Sequence, residues 1–174
     1  MTAFYIVLVV AVVLVLGVYI SWRAGRLDRL HARVEAARTA LDLALERRSS
    51  AAADLASSGL LDPATSLLIA GAVQAVRVPT DSRPRDLAES DLTRALRAAF
   101  SQPGFRDSLS SAGAEELADR VQAAAHQVFL ARKFYNGAVA STREARRRPL
   151  ARAFRLSGSA REPEFFEIDD SLGD

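Results

Sequence analysis

The stretch from Ala3 to Ile20 carries no charged residue, no proline and one glycine, Gly17. At a helical rise of about 1.5 Å per residue it covers about 27 Å, close to the hydrocarbon thickness of a bilayer. Trp22 follows where an interfacial aromatic belongs, and Arg23, Arg26, Arg29 and Arg33 come next. Two readings of such a segment compete, a retained span and a cleaved signal peptide. A signal peptide needs a basic leading region and a small-residue cleavage site. Met1-Thr2 brings no basic side chain, and Gly17-Val18-Tyr19-Ile20 has no A-x-A pattern. We therefore expect a retained transmembrane anchor over residues 1–22. Arginines follow the span and no Lys or Arg precedes it. The positive-inside rule then places the N-terminus outside the plasma membrane and residues 23–174 in the cytoplasm.

Composition narrows the chemistry of the remainder. The chain has no Cys, so disulfides, thiolate metal sites and Cys nucleophiles are excluded. Its two histidines, His31 and His126, stand far apart in sequence, which argues against a His-rich metal centre. The net charge of +2 is nearly balanced, and Lys133 is the single lysine. Aromatic residues are only thinly interleaved with the arginines, and an acidic tail lies close by, so nucleic acid is not expected as a partner. No cofactor is expected.

Beyond the span the pattern is helical throughout. Leu27, Leu30, Val34, Ala37, Leu41, Ala44, Ala51 and Leu55 repeat at three and four residues, with Arg48 the one intruder in the seam. Span and seam form one continuous helix that stops at Ser57-Ser58-Gly59. Asp62-Pro63 is an N-cap followed by a first-turn proline and opens a second helix, striped by Leu68, Ile69, Ala72, Val73 and Val76. A loop spans Pro79 to Pro84. Asp86 to Phe100 is a third helix, with Leu87, Leu92, Leu96, Ala99 and Phe100 apolar, and Pro103-Gly104 ends it. The last helix runs from near Ala114 to about Arg147, along Leu117, Val121, Ala124, Val128, Ala131, Tyr135 and Ala138. Helices with one apolar face and short connections pack as antiparallel neighbours. The expected fold is all-α: a transmembrane helix, an antiparallel up-down four-helix bundle over 23–149, and a tail over 150–174. Phe154, Phe165 and Phe166 are the expected tail anchors.

Ala131-Arg132-Lys133-Phe134-Tyr135-Asn136 followed by Val139 resembles the "AR..YN..V" motif of the LemA family. Pro149, Ala153-Phe154 and Phe165-Phe166-Glu167 resemble that family's C-terminal pattern. Leu41 through Arg47-Arg48 is similar to its first soluble helix, which ends in paired arginines. The chain departs from the family at Ser49 to Leu55, at Ser141-Thr142 and between Gly59 and Gly113. The resemblance implies a membrane-anchored helical bundle. LemA-like proteins have no settled catalytic activity, so it carries over no catalytic residue.

The remaining polar residues point to binding rather than catalysis. No nucleophile elbow, phosphate-binding glycine loop or H-E-x-x-H motif occurs. The serines of the 108–111 and 157–159 segments lack a base at a defined spacing, and Glu115-Glu116 suits a helix N-terminus. Tyr135 and Asn136 read as a polar lock across helices, with Arg47 and Arg48 as available partners, or as a binding face. Between Arg143 and Arg155 six arginines face a single acid, Glu144, whereas Glu162 to Asp174 holds six acids and no base. In an up-down bundle the last helix ends beside the membrane. Arg146, Arg147, Arg148 and Arg152 would then join Arg23, Arg26, Arg29 and Arg33 in a ring on anionic lipid headgroups. The alternative is that the basic helix end and the acidic tail bind each other.

These readings converge on a non-catalytic, single-pass membrane protein whose cytoplasmic bundle holds a protein partner at the inner leaflet. A stalk-like subunit of the ATP synthase subunit b kind, a homo-oligomer, and an enzyme with an unfamiliar helical site are the alternatives. The prolines at 63, 79, 84 and 103 count against a continuous stalk.

Overall fold

The computed structural model of the chain describes residues 2–78, 84–103, 105, 112–147 and 161–172. Among them are four helices and no strand: α1 (Thr2–Ser57), α2 (Pro63–Arg77), α3 (Arg85–Phe100) and α4 (Ala112–Arg147). The expected helix boundaries hold to within two residues. Phe154, Arg148 and Arg152 lie outside the described residues, as does most of the 79–84 loop.

Local chemistry explains where the helices stop and start. Ser58 closes α1: its N–H and its hydroxyl both donate to the Leu55 carbonyl, at 3.3 and 2.7 Å. Gly59 then takes a φ of 71°, which a side chain would oppose. Asp62 caps α2, its Oδ1 accepting from the N–H groups of Ala64 and Thr65 at 3.0 Å each. The Thr65 side chain first, and then those N–H groups, hold the Asp62 carboxyl below its ordinary pKa. Pro63 supplies a first-turn residue that needs no partner for a missing N–H. α3 starts after Pro84 with no side-chain cap.

The chain divides into two compact units, Met1–Ala36 with Asn136–Glu164, and Ala37–Tyr135 with Phe165–Asp174. In the first unit, residues 2–19 of α1 form a helix long and apolar enough to cross a membrane, with a mean hydropathy of 2.7 and none of it buried. Further along, Leu27 and Val34 of α1 and Ala138, Val139 and Thr142 of α4 are buried, and the Thr142 hydroxyl lies 3.5 Å from the Leu30 carbonyl.

The second unit holds the main core, to which all four described helices contribute. Ala51, Ala52, Leu55 and Ala56 come from α1, Ile69 and Val73 from α2, Leu92, Leu96 and Ala99 from α3, and Ala118, Val121 and Ala124 from α4. Phe105 joins this core and meets Phe100 edge-on, with ring centroids 5.0 Å apart. Each fully buried Leu, Ile or Val contributes about 1.5–3 kcal/mol. The apolar stripes differ from expectation at two positions. Leu68 and Leu87 are about half exposed. On α3 the buried face runs through Ala88, Glu89, Leu92, Thr93, Ala95, Leu96 and Ala99, which turns Leu87 outward.

Candidate functional site

Arg48 sits on the α1 seam and is wholly buried, while its neighbour Arg47 is exposed. A buried guanidinium needs partners for its N–H groups and a counter-charge. α3 provides both. Nη1 donates to the Thr93 hydroxyl at 2.7 Å; Nη2 donates to Glu89 Oε2 at 2.7 Å and to the Glu89 carbonyl at 3.2 Å. Glu89 is as deeply sealed as Arg48, with 1% of each side chain exposed. These partners lie 41 and 45 residues away in sequence. Arg48 Nε and the neighbouring Ser49 hydroxyl are buried without a hydrogen-bond partner.

The charge network continues to the surface. Arg85 Nε lies 3.8 Å from Glu89 Oε1, and its Nη1 bonds Asp42 of α1 at 2.7 Å, with both Arg85 and Asp42 about half exposed. Asp42, Arg85, Glu89 and Arg48 thus alternate in sign from solvent to core. Burial pushes the Glu89 carboxyl above its ordinary pKa, and the attraction of Arg48 offsets this only in part. Substrate cannot reach Arg48 or Glu89 at such burial, so the cluster acts by joining α1 to α3.

A second polar cluster holds the tail, whose described residues 161–172 form neither helix nor strand. Within the second unit, Arg97 of α3 bonds Asp169 at 2.7 Å and donates to the Ser171 carbonyl and hydroxyl. This pairing holds Asp169 below the usual carboxylate range and raises Arg97. Arg132 of α4 takes Asp170 through two nitrogens, at 2.6 and 3.0 Å. The Asp169 N–H donates to the Ser90 hydroxyl at 3.1 Å. Within the first unit, Arg143 bonds the Pro163 carbonyl at 2.8 Å and pairs with Glu162 at 3.3 Å, and Arg146 donates to the Arg161 carbonyl at 2.9 Å.

The expected site residues are placed as follows. Arg26, Arg29 and Arg33 are exposed on α1, Arg23 lies within the same helix, and Arg147 is exposed at the end of α4. Tyr135 is buried and Asn136 half-buried on α4. Phe165 is exposed and Phe166 half-buried, whereas Ile168 is the buried residue among the described residues of the tail. Sequence reasoning missed Glu89, Thr93, Arg97 and Asp169. The one available signal was Arg48 itself, a charge on an apolar seam that demanded a partner. Among the described residues no group of three or more His, Asp or Glu stands close enough to hold a metal ion.

No protein-family model matches the chain, and comparison with curated proteins and with solved structures finds no match.

Proposed function

We propose that the chain is a non-catalytic, single-pass membrane protein of LemA type. Its N-terminus lies outside the plasma membrane, and its cytoplasmic antiparallel four-helix bundle is an interaction module at the inner leaflet. The observation that carries this reading is α1 itself. Its first turns are apolar and wholly unburied, and the same helix then contributes Ala51, Ala52, Leu55 and Ala56 to the core of the second unit. Within the first unit the Thr142 hydroxyl of α4 lies 3.5 Å from the Leu30 carbonyl of α1, and within the second Leu55 and Val121 share one core, which supports packing of α1 with α4 in each. The sealed state of Arg48 and Glu89 supports a structural role for this pair. The resemblance to the LemA family rests on the Ala131–Asn136 motif, which lies on α4.

Alkaline extraction of membranes containing the full chain, followed by intact-mass measurement, tests the anchor. Retention in the pellet at an unprocessed mass of 18.8 kDa is expected. Release into the supernatant, or loss of the first twenty or so residues, overturns it.

A further inference from the structure

We propose that the face of α3 and α4 covered by the tail is a docking site for an extended acidic peptide of a protein partner, and that residues 165–172 are its built-in competitor. The proposal rests on the reading of the chain as an interaction module, to which it adds a surface and a ligand chemistry.

The tail is held as a bound peptide is held. Phe166, Ile168, Asp169, Asp170 and Leu172 are buried or half-buried, while Phe165, Glu167 and Ser171 are exposed. From Phe165 to Ile168 exposure alternates as in extended backbone, and the two acids that follow both pair with arginines of the helices. Ile168 is buried and Leu172 packs on the core of the second unit, which makes them apolar anchors. The acids between them are read by different helices, Asp169 by Arg97 of α3 and Asp170 by Arg132 of α4. A planar guanidinium engaging a carboxylate through two nitrogens, as Arg132 does, selects that group in geometry as well as charge. Ser90 accepts the Asp169 backbone N–H, a contact open to any residue with an N–H group. The recognised pattern is therefore an apolar residue, two consecutive acids and a second apolar residue two places on.

Each of these contacts is made by residues 168–172, so the same chemistry on another chain can make the same set. Arg97 and Asp169 are each more than one third exposed. Ion pairs that open to water are individually weak, so tethering contributes much of the tail's occupancy. A tethered segment at an effective concentration of about 1 mM suppresses a free ligand of Kd about 0.1 mM by roughly tenfold.

The test uses the full chain in detergent and a fluorescent synthetic peptide of residues 161–174. We expect the Asp169→Lys/Asp170→Lys protein, whose own tail is repelled by both arginines, to bind the peptide about tenfold more tightly than the unaltered protein. In a protein whose own tail is neutralised instead, Asp169→Ala/Asp170→Ala, adding Arg132→Glu should abolish binding, and an Asp170→Lys peptide should restore it. This rescue separates loss of recognition from loss of folding. Equal binding by the unaltered and tail-altered proteins, or binding indifferent to Arg132→Glu, overturns the proposal. Light scattering that shows a dimer dissolved by Asp169→Lys/Asp170→Lys also overturns it, because the tail then serves a second copy. Peptide binding by a chain that alkali releases from membranes would instead remove the anchor reading and leave the docking site standing.

Discussion

A guanidinium sealed in a helical core costs several kcal/mol of lost hydration, and its partners decide whether the fold tolerates it. Arg48 recovers that cost through Glu89 and Thr93. Removing the acceptor leaves a buried charge uncompensated, so Glu89→Ala should destabilise the chain by about 3–5 kcal/mol. Glu89→Gln keeps an oxygen for Arg48 but removes the counter-charge, so it should destabilise the chain by less than Glu89→Ala, by about 1.5–3 kcal/mol. Replacing both partners by apolar residues, Arg48→Met with Glu89→Leu, should be near neutral or stabilising. Denaturant titration of the full chain in detergent measures all three, and a double replacement as damaging as Glu89→Ala would refute the account. The pH dependence has a definite sign. Burial raises the Glu89 pKa in the folded state, so folding favours the protonated acid. The associated stability is fully present below the ordinary glutamate pKa and is lost as pH rises through the raised one. Stability of Glu89→Gln relative to the unaltered chain should therefore increase with pH across that window. A difference that stays flat with pH would show that Arg48 cancels the desolvation.

At the scale of elements, two glycines separate helix propensity from backbone geometry. Gly137 lies within α4 with open space where a Cβ would stand. Gly137→Ala should stabilise the chain by roughly 0.5–1 kcal/mol. Gly59 also has open space but a φ of +71°, so Gly59→Ala should destabilise by about 1 kcal/mol despite the room. Thermal melts of the two variants should move in opposite directions; a common direction would mean that the α1 cap is not conformationally strained. These elements were legible because their signals are local. Asp62-Pro63, Ser58-Gly59 and the seam from Leu27 to Leu55 specify caps and faces within a few residues. The candidate site was less legible because its pairs span long separations. Arg48 announced itself by interrupting an apolar seam, but nothing local marks Glu89 as its partner. Leu87 misled the α3 stripe because a leucine on a short helix reads as core until the neighbouring Glu89 turns inward. The tail was legible as a carrier of apolar anchors, yet Ile168 rather than Phe165 is buried, since extended backbone seats alternate residues.

At the scale of the whole molecule, the decisive quantity is the charge asymmetry across the apolar segment. Residues 2–19 carry none of the chain's charge, and Arg26, Arg29 and Arg33 stand exposed on the following turns of the same helix. Orientation in a membrane follows the flank that carries arginine. The proposed topology therefore depends on Arg23, Arg26, Arg29 and Arg33 acting together, with each exposed arginine near an anionic leaflet worth about 1 kcal/mol. The absence of cysteine makes this measurable, because a single introduced thiol reports its own side of the membrane. With Thr2→Cys, a membrane-impermeant maleimide should label intact cells, and with Ser171→Cys it should label only after permeabilisation. Changing the four arginines to Gln removes the asymmetry and should produce a mixed population with both positions partly labelled. Labelling of Ser171→Cys in intact cells with the arginines in place would put the module outside. The acidic-peptide partner would then have to be sought there, and the lipid contact of the arginines would be lost with it.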